Sequence, residues 1–196
     1  MDTLHKTDIM AVRTHEEMKD VLMSPESSGP NVHYYMIRGG SQKKNITVLE
    51  SGNVGGEYIK AYGHYHVDEL PEIYTVLSGE GIMLLQERKK LSSGELIDNE
   101  VESIKAIYFS AGSVITVPPK SGHLIINIGE SWLVTSDDSP VAMSKNEKAS
   151  WPIHADYKPV KDNRGFAYYV VSKDGNPDFI KNPNYKNVPN IIIEKN

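Results

Sequence analysis

The chain has 196 residues, 39% of them hydrophobic, a formal net charge of −5 and no cysteine. The absence of thiols excludes disulfide scaffolds, thiolate zinc sites, iron–sulfur clusters and thiol nucleophiles, so any metal must be held by His, Asp or Glu. The negative charge argues against a nucleic-acid partner. No basic-then-apolar leader opens the sequence, and no apolar run approaches the ~20 residues of a membrane span. We therefore expect a cytoplasmic protein that binds neither nucleic acid nor membranes.

The predicted elements are one short helix followed by many strands. Thr14 and Glu17 have the spacing of a capping box, which predicts a helical segment over about 14–23. A stretch rich in Ser, Gly and Pro then ends the helix. It is followed by short segments of β-forming residues that are separated by turn residues. We predict strands at 32–38, 46–50, 57–62, 72–77, 81–88, 103–109, 113–117, 123–128, 132–136, 166–172 and 190–194. This pattern is typical of an antiparallel barrel or jelly roll.

Two polar stretches, 89–102 and 137–152, interrupt the strand pattern. The first predicts a long hairpin excursion and the second a long surface loop; each is either functional or a tolerated surface insertion. There is no internal repeat and no long linker. We expect one domain over 1–196, with the barrel at about 31–136 and C-terminal strands at about 165–195.

Three histidines and a glutamate are the candidate chemistry. His64 and His66 are two residues apart, so a strand would direct both to one interior point. Glu72 begins the next strand-like run and shares a face with Tyr74, and His123 opens a strand after a Pro-rich turn. Three imidazoles and one carboxylate suit a divalent first-row metal and leave two octahedral positions for a chelating substrate. The alternative is that these are ordinary core or surface side chains.

The two segments resemble the paired motifs of the cupin superfamily, which implies an all-β barrel of the double-stranded β-helix or jelly-roll type. In the first motif, Gly79 follows Glu72 at the family spacing, but five residues separate His66 from Glu72. Glu69 is therefore a rival ligand. We prefer Glu72 because the strand and the glycine spacing follow it.

The second motif fits the cupin pattern at Gly112, Pro118, His123 and Asn127, whereas Lys120 stands where that pattern has Gly. More closely, Gly-His-Tyr-His followed by Glu-Ile-Tyr-Thr-Val-Leu-Ser-Gly resembles the cupin-type phosphoglucose isomerases of archaea and some bacteria. This similarity runs from about residue 14 to residue 183.

This resemblance implies a metal-dependent isomerase that interconverts glucose 6-phosphate and fructose 6-phosphate, in glycolysis and gluconeogenesis. The metal would be Fe²⁺, with Mn²⁺, Ni²⁺ or Zn²⁺ as alternatives. Glu72 would be both ligand and base, moving a proton between C2 and C1 through an enediol, although a hydride shift is a competing mechanism. Tyr74 would hydrogen-bond the substrate oxygens or, alternatively, fill the barrel. The family also implies a homodimer that exchanges a strand, here Val32–Arg38. Alternatively, this segment could be the edge strand of its own sheet.

At the phosphate end of the substrate, the contacts implied by the resemblance are Thr47, the Gly63 backbone, His154 and Tyr157, with Tyr34 as a weaker candidate. Two phosphate-side features depart from the family. Ala61-Tyr62 stands where the family usually has Thr-Lys, and a substrate-contacting Tyr has no counterpart in 135–139.

Two other functions fit the ligand set. One is a cupin Fe(II) oxygenase acting on a small chelating substrate, and the other is a non-catalytic sugar-binding cupin. His5, His15 and His33 belong to no constellation, and we expect them to be structural or surface residues.

Overall fold

The structure, a computed structural model, describes residues 9–38, 44–67, 69–139 and 155–196. In chain order the strands and helices are β1 Ile9–Thr14, α1 His15–Met18, a 3₁₀ helix Lys19–Val21, β2 Val32–Arg38, β3 Asn45–Leu49, β4 Asn53–Val54, β5 Glu57–Tyr58, β6 His64–His66, β7 Glu72–Ser78, β8 Glu80–Lys90, β9 Leu96–Ser110, β10 Val114–Val117, β11 Gly122–Asn127, β12 Leu133–Asp137, β13 Ala155–Asp156, α2 Lys158–Asp162, β14 Tyr168–Lys173, β15 Asn176–Lys181 and β16 Ile192–Lys195. None of the helices in these ranges is long and apolar enough to cross a membrane.

The strands form three sheets. The first sheet has the order β1-β2-β3-β12-β7-β10, the second β13-β6-β11-β8-β9-β16, and the third β15-β14-β5-β4. Apolar side chains of the two six-stranded sheets, among them Leu49, Val76, Leu84 and Leu124, share one buried core. Apart from the parallel pair of β9 and β16, both sheets are antiparallel. Two such sheets with a common core are the jelly-roll arrangement, so the predicted all-β cupin fold with a short N-terminal helix is confirmed.

The first helix begins where the capping box predicts. The Thr14 side chain accepts from the Glu17 amide and the Glu17 carboxylate accepts from the Thr14 amide. The α-helix ends at Met18 and the chain continues as the 3₁₀ turn, so the predicted segment is shorter and tighter than one continuous helix.

A buried polar network fastens this N-terminal segment to the sheets. Lys60 and Glu57 form an ion pair with 4% and 1% of their side chains exposed. Lys60 Nζ also donates to the Val21 carbonyl at 2.7 Å, and Glu57 accepts from the Met23 amide at 2.8 Å. Close by, His15 Nδ1 lies 2.9 Å from Nε2 of the fully buried His33, so both histidines are structural, as expected. His5 lies outside the described residues.

The stretch 89–102 is a continuation of the β8–β9 hairpin. Lys89 pairs with Ile97 and Lys90 with Leu96, with register irregularities at Arg88. The predicted hairpin excursion is therefore made of paired strands. Of the second predicted insertion, 140–152 lies outside the described residues.

Several predicted strands differ in extent from the observed ones. Within the strand predicted at 57–62, the structure has the two-residue β5 and an isolated bridge between Lys60 and Ile126. Strand Val32–Arg38 has its predicted bounds and lies between β1 and β3 of its own chain, so β1 is the edge strand. Strands β1, β4, β6, β13 and β15 and helix α2 lie outside the predicted ranges.

Candidate metal centre and active site

Four side chains that could hold a metal meet between the two six-stranded sheets. His64 and His66 come from β6, His123 from the neighbouring β11, and Glu72 from β7 of the opposite sheet. One ligand atom of each lies within 4.8 Å of all the others, and all four residues are buried. Around an ion with bonds of about 2.1 Å, adjacent ligand atoms are about 3 Å apart and opposite ones about 4.2 Å apart. These four side chains could therefore hold a metal ion.

One carboxylate oxygen of Glu72 lies close to two of the histidines. Glu72 Oε2 is 3.1 Å from His66 Nε2 and 3.2 Å from His123 Nε2. The hydroxyl of Tyr74 is 3.0 Å from His123 Nε2, which places the phenol beside the candidate ligands. Glu72 and Tyr74 share the buried face of β7, as the sequence spacing predicts.

Strand β6 is fixed by the residue between its two histidines. The Tyr65 ring stacks on Phe166 at 5.9 Å between centroids, and its hydroxyl accepts from Gln86. Burial strongly raises the pKa of the Tyr65 phenol, which therefore stays neutral. Gly122 of β11 pairs with Tyr65, and a Cβ there would lie 2.5 Å from the ring. The glycine thus allows the close approach of β11 that brings His123 opposite His64.

Two residues of the second motif, Lys120 and Asn127, are explained by the backbone around them. Lys120, in the position of the family's glycine, has a φ of 61°, in the left-handed region that favours glycine. Asn127 is fully buried and donates to the carbonyls of Glu50 and Ser131, while its Oδ1 accepts from the Gly129 amide. Lys120 and Asn127 therefore shape the turns that begin and end β11.

The rival ligand Glu69 lies outside the cluster. Its side chain is 76% exposed and forms an ion pair with Lys120 at the surface. The geometry therefore favours Glu72 over Glu69 as a ligand.

The cluster opens into an inner cavity of about 50 Å³. Of the substrate contacts expected from the resemblance, Thr47, Gly63 and Tyr157 line this cavity, as does Tyr34. Gly63 has a φ of 78°, so its position before His64 again suits glycine. The Tyr157 ring lies 5.2 Å from that of His64. His154 lies outside the described residues.

The structure also brings Asp137 into the inner cavity, a residue that the sequence placed only in a loop. Asp137 is 2% exposed and ends β12 next to Tyr74 of β7. Its Oδ1 accepts from Asn45 Nδ2 at 2.7 Å and from Ser139 Oγ at 2.6 Å. No motif spacing in the sequence marks this aspartate as a site residue. The pairing of β12 with β3 and β7 directs its side chain inward.

A family model described as Glucose-6-phosphate isomerase (GPI) matches residues 31–188. The glucose-6-phosphate isomerase of Pyrococcus furiosus is 32% identical over 143 residues, which are 71% of this chain and 62% of that protein. That of Pyrococcus horikoshii is 31% identical over 144 residues, 72% of this chain and 63% of that protein. The chain thus spans less than two thirds of the length of these relatives.

Among solved structures, a predicted oxalate decarboxylase from Thermotoga maritima aligns with a TM-score of 0.42 and 16% identity. The alignment covers 70% of this chain and 96% of that one.

Proposed function

Because the chain belongs to the glucose-6-phosphate isomerase family, we propose that it is a metal-dependent aldose–ketose isomerase that interconverts glucose 6-phosphate and fructose 6-phosphate. The observation that carries this proposal is the buried cluster of His64, His66, Glu72 and His123 beside Tyr74. This activity would place the protein in glycolysis and gluconeogenesis in the cytoplasm.

Each side chain of the cluster has a role in this reaction. His64, His66, His123 and Glu72 would hold a divalent ion, Fe²⁺ or alternatively Mn²⁺, Ni²⁺ or Zn²⁺, which as a Lewis acid would polarise the sugar carbonyl and acidify the C2 proton. Because Glu72 Oε2 faces two imidazole nitrogens, we assign this oxygen as the ligand and Oε1 as the base. The base takes the proton from C2 and returns it to C1.

The residues around the base would hold the sugar. The Tyr74 hydroxyl, beside His123, would hydrogen-bond the oxygens on C1 and C2 as their protons are redistributed. Thr47, the Gly63 backbone and Tyr157 line the same cavity and would contact the rest of the substrate, together with His154, as the family resemblance implies.

The proposal is tested by removing metal with a chelator, restoring Fe²⁺, Mn²⁺, Ni²⁺ or Zn²⁺ one at a time, and following fructose 6-phosphate formed from glucose 6-phosphate. We expect turnover only with restored metal. Glu72→Gln should abolish turnover and weaken metal binding, whereas the matched Glu69→Gln at the exposed ion pair with Lys120 should leave both within twofold. The reverse order would contradict the ligand assignment.

The other functions of this ligand set predict different results. Oxygen uptake that requires Fe²⁺, without isomerisation, would indicate an oxygenase. Sugar binding without turnover under any metal would indicate a binding protein. Either result would refute the isomerase.

A homodimer is the second part of the proposal, and the outward face of the first sheet supports it. Ile73, Leu77 and Val114 on this face are 37%, 50% and 56% exposed, and Trp132 beside it is 42% exposed. An apolar face of this kind is typical of a protein interface. Since β2 pairs within its own sheet, we assign the dimer contact to this face rather than to an exchange of Val32–Arg38.

The dimer is tested by light scattering after gel filtration. Leu77→Asp should convert the dimer to a monomer because it buries a charge in the apolar contact. Leu91→Asp is the matched control, since Leu91 is 41% exposed on the distant β8–β9 turn. A monomeric wild type, or a Leu77→Asp dimer as stable as the wild type, would refute the assignment.

A further inference from the structure

The buried amide of Gln86 connects the candidate metal centre to the C-terminal part of the chain. Gln86 lies on β8 and is fully buried. Its Oε1 accepts from the Ala167 amide at 2.9 Å, and its Nε2 donates to the hydroxyls of Tyr65 and Tyr185. Because a backbone amide can only donate, the Ala167 contact assigns the oxygen and the nitrogen of this side chain. The carbonyl and the NH₂ group of Gln86 therefore both have partners, and these lie in three different segments.

The two phenols of this network are neutral. Burial raises the pKa of Tyr185 to about 12, and it also raises the pKa of Tyr65 well above its usual value. The Tyr185 hydroxyl donates to the Gly165 carbonyl at 3.0 Å, so its oxygen accepts from Gln86. A buried network of this kind is rigid, because breaking one of its bonds leaves a polar group with neither water nor a partner.

Tyr65 transmits this rigidity to two candidate ligands. It lies between His64 and His66 on β6 and, because side chains alternate along a strand, it points to the face opposite both imidazoles. Its ring packs on Phe166, and the guanidinium carbon of Arg88 lies 4.3 Å from the ring centre. These contacts hold the ring, and the hydrogen bond to the hydroxyl holds its far end. A strand whose outer side chain is held in this way resists rotation about its own axis, so the directions of the two imidazoles are fixed.

Strand β6 depends on such a constraint because it is short. It has three residues and pairs with β11 at two positions and with β13 at two. Ligand side chains must be held within about 0.5 Å and about 10–20° of the productive geometry. The third imidazole is connected to the same amide, since Gly122, which precedes His123, pairs with Tyr65 on one side and with Gln86 on the other. The strands that carry the three imidazoles therefore meet beside Gln86.

We infer that Gln86 is a positioning residue of the metal centre, which acts through Tyr65 to fix the directions of the His64 and His66 imidazoles. It acts from the face of the sheet opposite these imidazoles. The inference rests on the metal-dependent function proposed above, but metal binding can be measured without turnover.

The alternative is that the network only fastens the C-terminal segment, and Asn182 provides the matched control for this. Asn182 is 1% exposed, and its Nδ2 donates to the carbonyls of Asn163 and Phe166, each at 2.9 Å. It is a second buried amide, and these bonds join parts of the C-terminal segment to one another. Replacing it also leaves buried polar groups without a partner, but it keeps the hydrogen bond between Gln86 and Tyr65.

The experiment measures Co²⁺ binding to the metal-free protein by titration calorimetry. It also records the visible absorption of the Co²⁺-loaded protein, which reports the geometry of the ligands. Gln86→Leu should weaken Co²⁺ binding about tenfold or more, as is typical when a group that orients metal ligands is removed, and it should shift the absorption spectrum. Asn182→Leu should keep the affinity within about twofold and leave the spectrum unchanged, although urea unfolding should show that both variants have lost stability.

Tyr65→Phe is a second variant, which keeps the test valid if Gln86→Leu does not fold. It removes only the hydroxyl and keeps the ring contacts with Phe166 and Arg88, and it should weaken Co²⁺ binding severalfold and shift the spectrum. Both variants remove the same hydrogen bond, so the double variant should bind Co²⁺ at most about twofold more weakly than Gln86→Leu alone. Losses that multiply would overturn the assignment of Tyr65 as the residue through which Gln86 acts.

Unchanged Co²⁺ affinity and spectrum in Gln86→Leu and Tyr65→Phe, or equal losses in Asn182→Leu, would overturn the inference. If the wild type still isomerises glucose 6-phosphate in that case, the proposed function stands without it. If the variants bind Co²⁺ in the expected order but the wild type isomerises no glucose 6-phosphate with any restored metal, the proposed function fails and the positioning role of Gln86 stands.

Discussion

Replacing Lys60 by Met should destabilise the protein far more than removing an ordinary surface charge. The Lys60–Glu57 pair is almost completely buried, and each partner also bonds to the backbone of the N-terminal segment, at Val21 and Met23. Met fills a similar volume but leaves the Glu57 carboxylate buried without its counter-ion. Breaking a buried ion pair on one side costs about 3–5 kcal/mol, whereas an exposed pair contributes about 0–1 kcal/mol.

The expected loss translates into a large thermal shift. For a chain of this length each kcal/mol changes Tm by about 2–4 °C, so Lys60→Met should lower Tm by roughly 10 °C. Lys105→Met is the matched control, because Lys105 pairs with Glu194 with 42% and 41% of their side chains exposed. It should lose less than about 1 kcal/mol.

Urea unfolding of four proteins provides the measurement: wild type, Lys60→Met, Glu57→Gln and the double variant. The double variant should lose clearly less than the sum of the two single losses, because it leaves no buried charge unpaired. The prediction is contradicted if Lys60→Met lowers the free energy of unfolding by less than about 1 kcal/mol, or if the losses of the two single variants simply add. Either result would show that the ion pair is solvated and that its burial does not determine its contribution to stability.

Three further outcomes are expected. Lys120→Gly should raise the free energy of unfolding by about 0.5–1 kcal/mol in urea melts, because glycine adopts a φ of 61° without strain; a loss would contradict this. Gly122→Ala should weaken metal binding at least tenfold by calorimetry, because its Cβ would displace β6, and unchanged affinity would refute that coupling. Burial, with the nearby charges of His15 and Lys60, lowers the pKa of His33 to about 4. Since the unfolded value is about 6.5, the unfolded state binds more protons between these pH values, and stability should fall by about 3 kcal/mol as pH drops from 6.5 to 4. His33→Gln should remove most of that slope in unfolding measured across this range.

The four clustered side chains could be predicted because their spacing in the sequence reflects local geometry. His64 and His66 share a strand face at a separation of two, and Glu72 and Tyr74 do so on the next strand. The choice between Glu72 and Glu69 was also accessible, since a strand follows only the former. That the two motifs meet in one site could be expected only from the family resemblance, because no local sequence signal specifies that β11 pairs with β6.

Other features depend on contacts between distant segments. Strand β15 carries Pro177 and Asp178, which normally disfavour strands, yet it is stable as the edge of the third sheet, where a missing N–H is tolerated. Arg13 and Asp137 are charged residues in unremarkable sequence, and only long-range pairing buries them. Sequence periodicity indicates on which face of a strand a side chain lies. Which distant segment packs against that face depends on the topology of the sheets.

The candidate ligands are divided between the two layers of the fold, three imidazoles on the second sheet and one carboxylate on the first. An ion held by all four would cross-link the two sheets. Its binding free energy would add to the free energy of unfolding, by about 2.7 kcal/mol at a hundredfold excess over Kd. Heat resistance would then track metal supply, so the protein without its ion would unfold at a lower temperature than the metal-bound protein.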